Sequence, residues 1–137
     1  MKQAKKVAWK PLKDAVAQIQ KTESEINKER KSGDEKITLV DIRESDTTIR
    51  FWNGSEIYLL GSDNPDAIRG SKLAGVVLDE VAQMPKELWT EIVYPALMDM
   101  HGWALFIGTP KGINLFSELF ARGKDKKFTK DWISQVF

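Results

Sequence analysis

The sequence of 137 residues contains no cysteine and a single histidine, His101. The lack of cysteine excludes a disulfide framework and a thiolate metal site, and one histidine, which we assign to a loop, cannot build a histidine metal cluster. No apolar run approaches the ~18 residues that span a bilayer, and the start, Met1–Lys6, lacks the apolar stretch of a signal peptide. We therefore expect a cytosolic protein with no membrane segment.

Neither sign of charge dominates the sequence. The 21 lysine and arginine residues nearly balance the 20 aspartate and glutamate residues, which leaves a formal net charge of +1. Composition therefore gives no argument for or against a nucleic-acid partner. The hydrophobic share of 42% is typical of a globular domain with a real core, and no repeat or low-complexity tract is present.

The first part of the chain predicts a helix followed by short strands. Apolar side chains recur at three- and four-residue steps over residues 7–26, which indicates an amphipathic helix, although Pro11 leaves its start open. The dipeptide Asn53-Gly54 predicts a two-residue type I′ hairpin. Three segments rich in β-branched and aromatic residues predict strands: 37–42, 48–52 and 57–60.

Two later segments are apolar runs typical of parallel strands covered on both faces: residues 75–79, which end in Asp79, and residues 103–108. A helix that Pro95 should kink or interrupt is predicted between them. A short helix is predicted near residues 114–122, and the tail at 132–137 has the composition of another strand. This order favours an α/β fold with a mostly parallel sheet flanked by helices and an inserted β-hairpin.

Ligands of such sheets bind at the carboxyl ends of the strands, where Asp79-Glu80 and Thr109 lie. Residues 76–80 have the form of a Walker B segment with an adjacent glutamate. Mg²⁺ prefers hard oxygen ligands and keeps several waters, so Asp79 could hold it against nucleotide phosphates. Glu80 could orient or deprotonate the attacking water, and Thr109 could contact the γ-phosphate. Taken alone, Asp79-Glu80 could equally be a solvated strand end, and Thr109 is better explained as a turn residue before Pro110.

Several segments, taken in order, resemble the terminase large subunit of tailed phages. Residues 64–70 followed by 76–84 are similar to the family pattern in which an Arg-Gly step precedes Walker B. Residues 105–112 resemble its coupling motif, and the hairpin at 51–57 falls where these proteins have one. The match covers most of residues 37–120, which makes it far more specific than any one motif.

The resemblance implies a P-loop NTPase-like ATPase of the additional-strand, catalytic-glutamate type, which uses ATP and Mg²⁺ to package double-stranded DNA into the procapsid in the host cytoplasm. It implies that Asp79 binds the metal and nucleotide, that Glu80 acts on the water and that Thr109 senses the nucleotide and couples hydrolysis to movement. Arg69 would stabilise phosphate charge in cis or from a neighbouring subunit, although an Arg69 that pairs with Asp66 is the competing interpretation. The implied partners are DNA, the terminase small subunit and the portal protein, and a homo-oligomeric ring is compatible with them.

The sequence departs from the family pattern because it contains no G-x-x-x-x-G-K-[ST] phosphate loop; Gly123-Lys124, for example, is followed by Asp125. The segment Gln3–Lys6 resembles the residues after the second strand in the family. We therefore expect residues 1–137 to form a single partial ATPase domain, with a phosphate loop upstream and a nuclease domain downstream, that does not hydrolyse ATP alone.

Two other interpretations stay open at this point. A superfamily 2 helicase core also pairs an acidic Walker B segment with a Ser/Thr turn after the next strand, although Gly108-Thr109-Pro110 in place of Ser-Ala-Thr favours a terminase. A non-catalytic remnant or interaction module could keep the same fold without binding nucleotide.

Overall fold

The computed structural model describes the backbone of residues 5–137 and the side chains of residues 7–137, so the first two residues of the segment Gln3–Lys6 lie outside the described residues. The chain divides into two compact units, Met1–Gly61 and Ser62–Phe137. That residues 1–137 form one ATPase domain stays a prediction. Within the described part, no helix combines the length and the hydropathy needed to cross a membrane.

The predicted amphipathic helix is confirmed in the first unit. A π-helical turn, Lys5–Trp9, leads into α1, Lys10–Glu29. Pro11 is the second residue of α1, directly after the π-helical turn, and its restricted φ is compatible with a helix. Trp9 and Val16 are buried in a core that they share with Ile49, so the apolar stripe of the helix packs against strand residues.

The three predicted strands form an antiparallel sheet in the order β1-β2-β3, with β1 Val40–Arg43, β2 Thr48–Phe51 and β3 Glu56–Tyr58. The predicted type I′ turn between β2 and β3 is wrong. Only Gly54 of the turn pair has a positive φ, 81°, and its amide donates to the Phe51 carbonyl, while the Phe51 amide donates to the Ser55 carbonyl. This pattern belongs to a three-residue loop whose last residue is a left-handed glycine.

The two apolar strands pair in parallel in the second unit, as predicted. They are β4, Gly75–Leu78, and β5, Trp103–Phe106, with Leu78 opposite Phe106. The described strands therefore include both antiparallel and parallel pairs, in a mixed α/β architecture.

The expectation that β4 and β5 are covered on both faces is wrong for the described residues. Leu78 and Phe106 pack into the core of the second unit, whereas Val77 and Trp103 are 53% and 60% exposed. The reason is that the helices of this unit pack against one face of the strand pair and leave the other face open.

The connection from β4 to β5 is helical and irregular around Pro95, as predicted. It contains a 3₁₀ turn, Val81–Gln83, a π-helical segment, Leu88–Val93, and α2, Tyr94–Met98. Since proline has no amide to donate, a helix commonly changes its hydrogen-bond pattern near one. The π-helical segment supplies four of the nine buried residues in the core of the unit, among them Trp89.

The predicted short helix is present as α3, Leu115–Lys124, but the predicted strand in the tail is wrong. Residues 132–137 form no strand pairing. The indole of Trp132 instead stacks on Phe106, with ring centroids 6.1 Å apart, so the tail contributes a side chain to the core rather than its backbone to the sheet.

Candidate active site

Two loops are held against each other at the carboxyl ends of β4 and β5. The amide of Ile107 donates to the Leu78 carbonyl at 2.8 Å, and the amide of Val81 donates to the Ile107 carbonyl at 3.2 Å. A Cβ atom at Gly108 would lie 3.3 Å from the Val81 nitrogen and 3.4 Å from Glu80 Cα. Glycine therefore allows the loop after β5 to lie directly on the loop after β4.

Asp79 and Glu80 form the first of these loops, and both side chains are exposed. The Asp79 Oδ1 atom accepts a hydrogen bond from the Glu80 amide at 2.9 Å. Glu80 has a left-handed backbone, with φ 57° and ψ 39°. That conformation costs a residue with a side chain about 1–2 kcal/mol, and strain of this kind clusters at functional sites.

Gln83 positions the carboxylate of Glu80. The 3₁₀ turn over Val81–Gln83 brings the two residues together, and Gln83 Nε2 donates to Glu80 Oε2 at 2.7 Å. One carboxylate oxygen is thereby held while the other remains for a substrate or water. Sequence reasoning missed Gln83; its spacing of three from Glu80 was the available signal, since residues three apart are neighbours on a helical turn.

Thr109 follows Gly108 and is exposed. Since the loops after β4 and β5 are hydrogen-bonded to each other, the structure places Thr109 at the same end of the strand pair as Asp79 and Glu80. This is the edge that the strand order predicted. The chemical roles of the three side chains stay predictions.

Asn114 joins both loops to the start of α3. Its Oδ1 atom accepts from the amides of Phe116 and Ser117, and the Ser117 hydroxyl accepts from the Asn114 amide, which completes a capping box. Its Nδ2 atom donates to the Lys111 carbonyl at 3.0 Å and approaches the Ala82 carbonyl at 3.5 Å. Sequence reasoning missed this residue as well, although the Asn-x-x-Ser spacing signals a helix cap.

Arg69 lies in the loop before β4 rather than at this edge. Its guanidinium pairs with Asp66 at 3.1 Å, as the competing interpretation held, and it lines an open cleft of about 370 Å³ beside residues of the π-helical segment and α2. The same loop reaches α2 through the Leu73 amide, which donates to the Ala96 carbonyl.

The length of β4 separates Arg69 from the two carboxylates. Four strand residues span about 13 Å, with Arg69 before the amino end and Asp79 after the carboxyl end. Within one chain, Asp79, Glu80 and Thr109 therefore lie at the carboxyl end of the strand pair, whereas Arg69 lies in the loop before its amino end.

The donor set at this edge fits a nucleotide-bound Mg²⁺ ion. No group of three or more His, Cys, Asp or Glu side chains placed to hold a metal occurs among the described residues. Mg²⁺ needs no such group, because it keeps several waters and is held by one or two carboxylates together with phosphates. The exposed carboxylate of Asp79 at a strand end supplies a hard oxygen ligand of that kind.

Comparison with known proteins shows the family of the chain. A family model described as terminase large subunit, T4likevirus-type, N-terminal, matches residues 13–134. The chain belongs to this terminase family. The terminase large subunits of Thermus phage G20c and Thermus virus P23-45 are each 46% identical to it over 69 residues, which is 50% of this chain and 14% of theirs.

Solved structures of a terminase ATPase domain are also similar to this chain. The large terminase ATPase domain of Thermus phage P74-26 superposes with a TM-score of 0.52 and 30% identity over 72% of this chain and 46% of that domain. An arginine-to-alanine mutant of the same domain gives 0.53 and 29%. The likeness to the terminase therefore spans about half of the solved ATPase domain.

Proposed function

We propose that this chain is the metal-binding and water-activating part of the ATPase motor of a viral terminase large subunit, which powers packaging of double-stranded DNA into the procapsid. The observation that carries the proposal is the pair of hydrogen-bonded loops that sets Asp79, Glu80 and Thr109 at one end of two parallel strands. Family membership favours this function over a helicase core, and the Glu80–Gln83 hydrogen bond favours it over a remnant without a site.

In the proposed fold, β4 and β5 are neighbouring strands of a larger, mostly parallel P-loop sheet of the additional-strand, catalytic-glutamate type. Parallel sheets are normally covered on both faces. The half-exposed side chains of Val77, Trp103 and Leu105 support further cover in the complete protein, because together they form an apolar face.

Asp79 would hold Mg²⁺, with ATP phosphates and waters as the other ligands. The bound ion would neutralise the charge that develops on the transferred phosphoryl group. Glu80, oriented by Gln83, positions the attacking water and accepts its proton. Its left-handed backbone ends the extended conformation of β4 at this residue.

Thr109 and Asn114 would couple hydrolysis to movement. The Thr109 hydroxyl can donate to an oxygen of the γ-phosphate, and departure of that phosphate removes the contact. Because Asn114 donates to the Lys111 carbonyl of the Thr109 loop and caps α3, displacement of that loop is passed to α3.

Arg69 fits the second of its two proposed roles, as a stabiliser of phosphate charge in a neighbouring subunit. It lies beside residues of the π-helical segment and α2, and its exposure leaves it accessible to another chain. This role implies a homo-oligomeric ring. The terminase small subunit and the portal protein, in the host cytoplasm, complete the proposed assembly.

The experiment uses a complete large subunit that contains this segment and a phosphate-binding loop. Glu80→Gln should lower hydrolysis by roughly two to four orders of magnitude while Mg-ATP binding persists. Asp79→Asn should also weaken Mg²⁺-dependent binding, and Thr109→Ala should lose more DNA translocation than ATP turnover. The measurements are nucleotide affinity with and without Mg²⁺, ATP turnover and packaged DNA length.

Equal loss of nucleotide binding in all three variants would indicate a packing defect and contradict the separate roles. The isolated 137-residue chain is the companion sample, since its sequence contains no phosphate-loop motif. It should show no turnover. Steady turnover that Glu80→Gln abolishes would show that the proposed dependence on a phosphate loop is wrong.

A further inference from the structure

The segment at the end of α3 carries an excess of positive charge. Residues 122–131 contain one arginine and four lysines against two aspartates, a local net charge of +3 in a chain whose net charge is +1. Residues 21–36 also contain one arginine and four lysines, but they contain five carboxylates as well, so their net charge is zero. We call the five cationic residues the basic turn: Arg122, Lys124, Lys126, Lys127 and Lys130.

All five side chains of the basic turn are exposed, and none of them forms a salt bridge with any described residue. Asp125, which lies between Lys124 and Lys126 in sequence, accepts instead from the Lys127 amide through Oδ1 at 2.9 Å. Exposed cations that no carboxylate neutralises raise the local positive potential and attract anions.

Hydrogen bonds and aromatic packing hold the backbone of the basic turn. The Phe128 amide donates to the Asp125 carbonyl at 3.0 Å, and the Trp132 amide donates to the Phe128 carbonyl at 2.9 Å. Trp132 stacks on Phe106 of β5, and the Arg122 guanidinium lies 5.0 Å from the Trp132 ring centroid. A partner that binds this surface would therefore need to order lysine side chains but little backbone.

Helix α3 connects the basic turn to the candidate active site. It begins at the Asn114 cap between the two loops and, with ten residues, reaches about 15 Å to its end at Lys124. Leu115 and Leu119 of α3 pack in one core with Val81, the residue after Glu80. A second tie is the ion pair between Lys86 Nζ and Glu118 Oε2 at 2.6 Å.

We infer that the basic turn is a contact surface for the phosphate backbone of double-stranded DNA and that α3 links this contact to the candidate active site. The inference rests on the proposed function, because DNA is the polyanion that a packaging motor handles. The negative end of the α3 dipole would oppose an anion, but Arg122 and Lys124 in the last turn offset it.

The composition of the turn favours contact with the backbone of DNA over reading of its sequence. Lysines contact phosphates as point charges, and residues 122–131 contain no asparagine or glutamine to pair with base edges. The arginine of the turn is packed against aromatic rings. Binding that does not depend on sequence is what translocation along DNA requires.

The test measures binding of the 137-residue chain, without nucleotide, to a fluorescent mixed-sequence duplex of about 30 base pairs by anisotropy at several salt concentrations. The test variant is K124Q/K126Q/K127Q/K130Q. The matched control is K21Q/K28Q/K31Q/K36Q, which removes the same charge from the balanced segment. Circular dichroism and thermal unfolding check that both variants fold.

The test variant should bind about tenfold or more weakly at low salt, and the slope of log affinity against log salt should fall by about 3–4, since each phosphate contact contributes about 0.9. The control should stay within about twofold of the wild type and keep its slope. Equal weakening in both variants, or in neither, would overturn the inference. So would tighter binding of the wild type to polyglutamate than to the duplex, which would point to an acidic protein partner.

A second measurement separates this inference from the proposed function. In the complete large subunit, the test variant should keep DNA-free ATP turnover and lose translocation. If Glu80→Gln leaves hydrolysis intact, the proposed function is wrong, whereas a reduced salt slope in the test variant would still support the DNA contact. If the slope is unchanged and Glu80→Gln abolishes hydrolysis, the basic turn is not the DNA contact and the proposed function stands.

Discussion

Asn114 performs two tasks that substitutions can separate. Its Oδ1 atom accepts from the amides of Phe116 and Ser117 at 3.0 and 3.3 Å, and its Nδ2 atom donates to the Lys111 carbonyl at 3.0 Å. Asn114→Ala removes both functions. Asn114→Asp keeps the acceptor that caps α3 and removes only the donor.

The expected losses follow from these contacts. A helix cap is worth about 1 kcal/mol and a neutral hydrogen bond about 0.5–1.5 kcal/mol, while the 3.5 Å contact with the Ala82 carbonyl contributes little. Asn114→Ala should therefore lower the free energy of unfolding by about 2 kcal/mol. Asn114→Asp should lower it by about 0.5 kcal/mol, because a negative charge at the helix start recovers part of the loss.

Urea unfolding followed by tryptophan fluorescence measures the free energy, and hydrogen–deuterium exchange over residues 115–124 reports the helix itself. Exchange in α3 should accelerate about 30-fold in Asn114→Ala if local opening carries the loss. Asn64→Ala is the matched control, since Asn64 precedes a 3₁₀ turn without capping it through its side chain. An equal loss in Asn114→Asp and Asn114→Ala would refute the assignment of the cap to Oδ1.

Two further substitutions test the backbone and the core of the second unit. Glu80→Gly relieves the strain of the left-handed conformation and should raise the free energy of unfolding by about 0.5–1 kcal/mol. It should also abolish hydrolysis in the complete subunit. A decrease in the free energy of unfolding, measured in urea, would show that this backbone stores no strain. Val93→Ala should cost about 2 kcal/mol, because Val93 is fully buried, whereas Val77→Ala, on the open face, should cost less than about 1 kcal/mol. Equal decreases in melting temperature and in the free energy of unfolding for Val93→Ala and Val77→Ala would contradict the assignment of the open face.

Much of the local structure could be predicted because its signals lie within a few residues. The apolar runs at 75–79 and 103–108 predicted a parallel pair, and Pro95 predicted the irregular helix between them. Asn53-Gly54 located a turn, but the loop length depended on how β2 and β3 pair across it. The tail at 132–137 shows the limit of composition, since its aromatic residue serves the core without any strand.

The sequence by itself determined that two acidic residues follow one strand and a threonine follows the next, and parallel pairing then requires them to share an edge. Only the tertiary structure decided that Gln83 holds Glu80, that Asn114 ties the loop after β5 to α3 and that Arg69 pairs with Asp66. The physical reason is that strand order follows from local hydrophobic pattern, whereas a hydrogen-bond partner depends on how separate loops fold back onto each other.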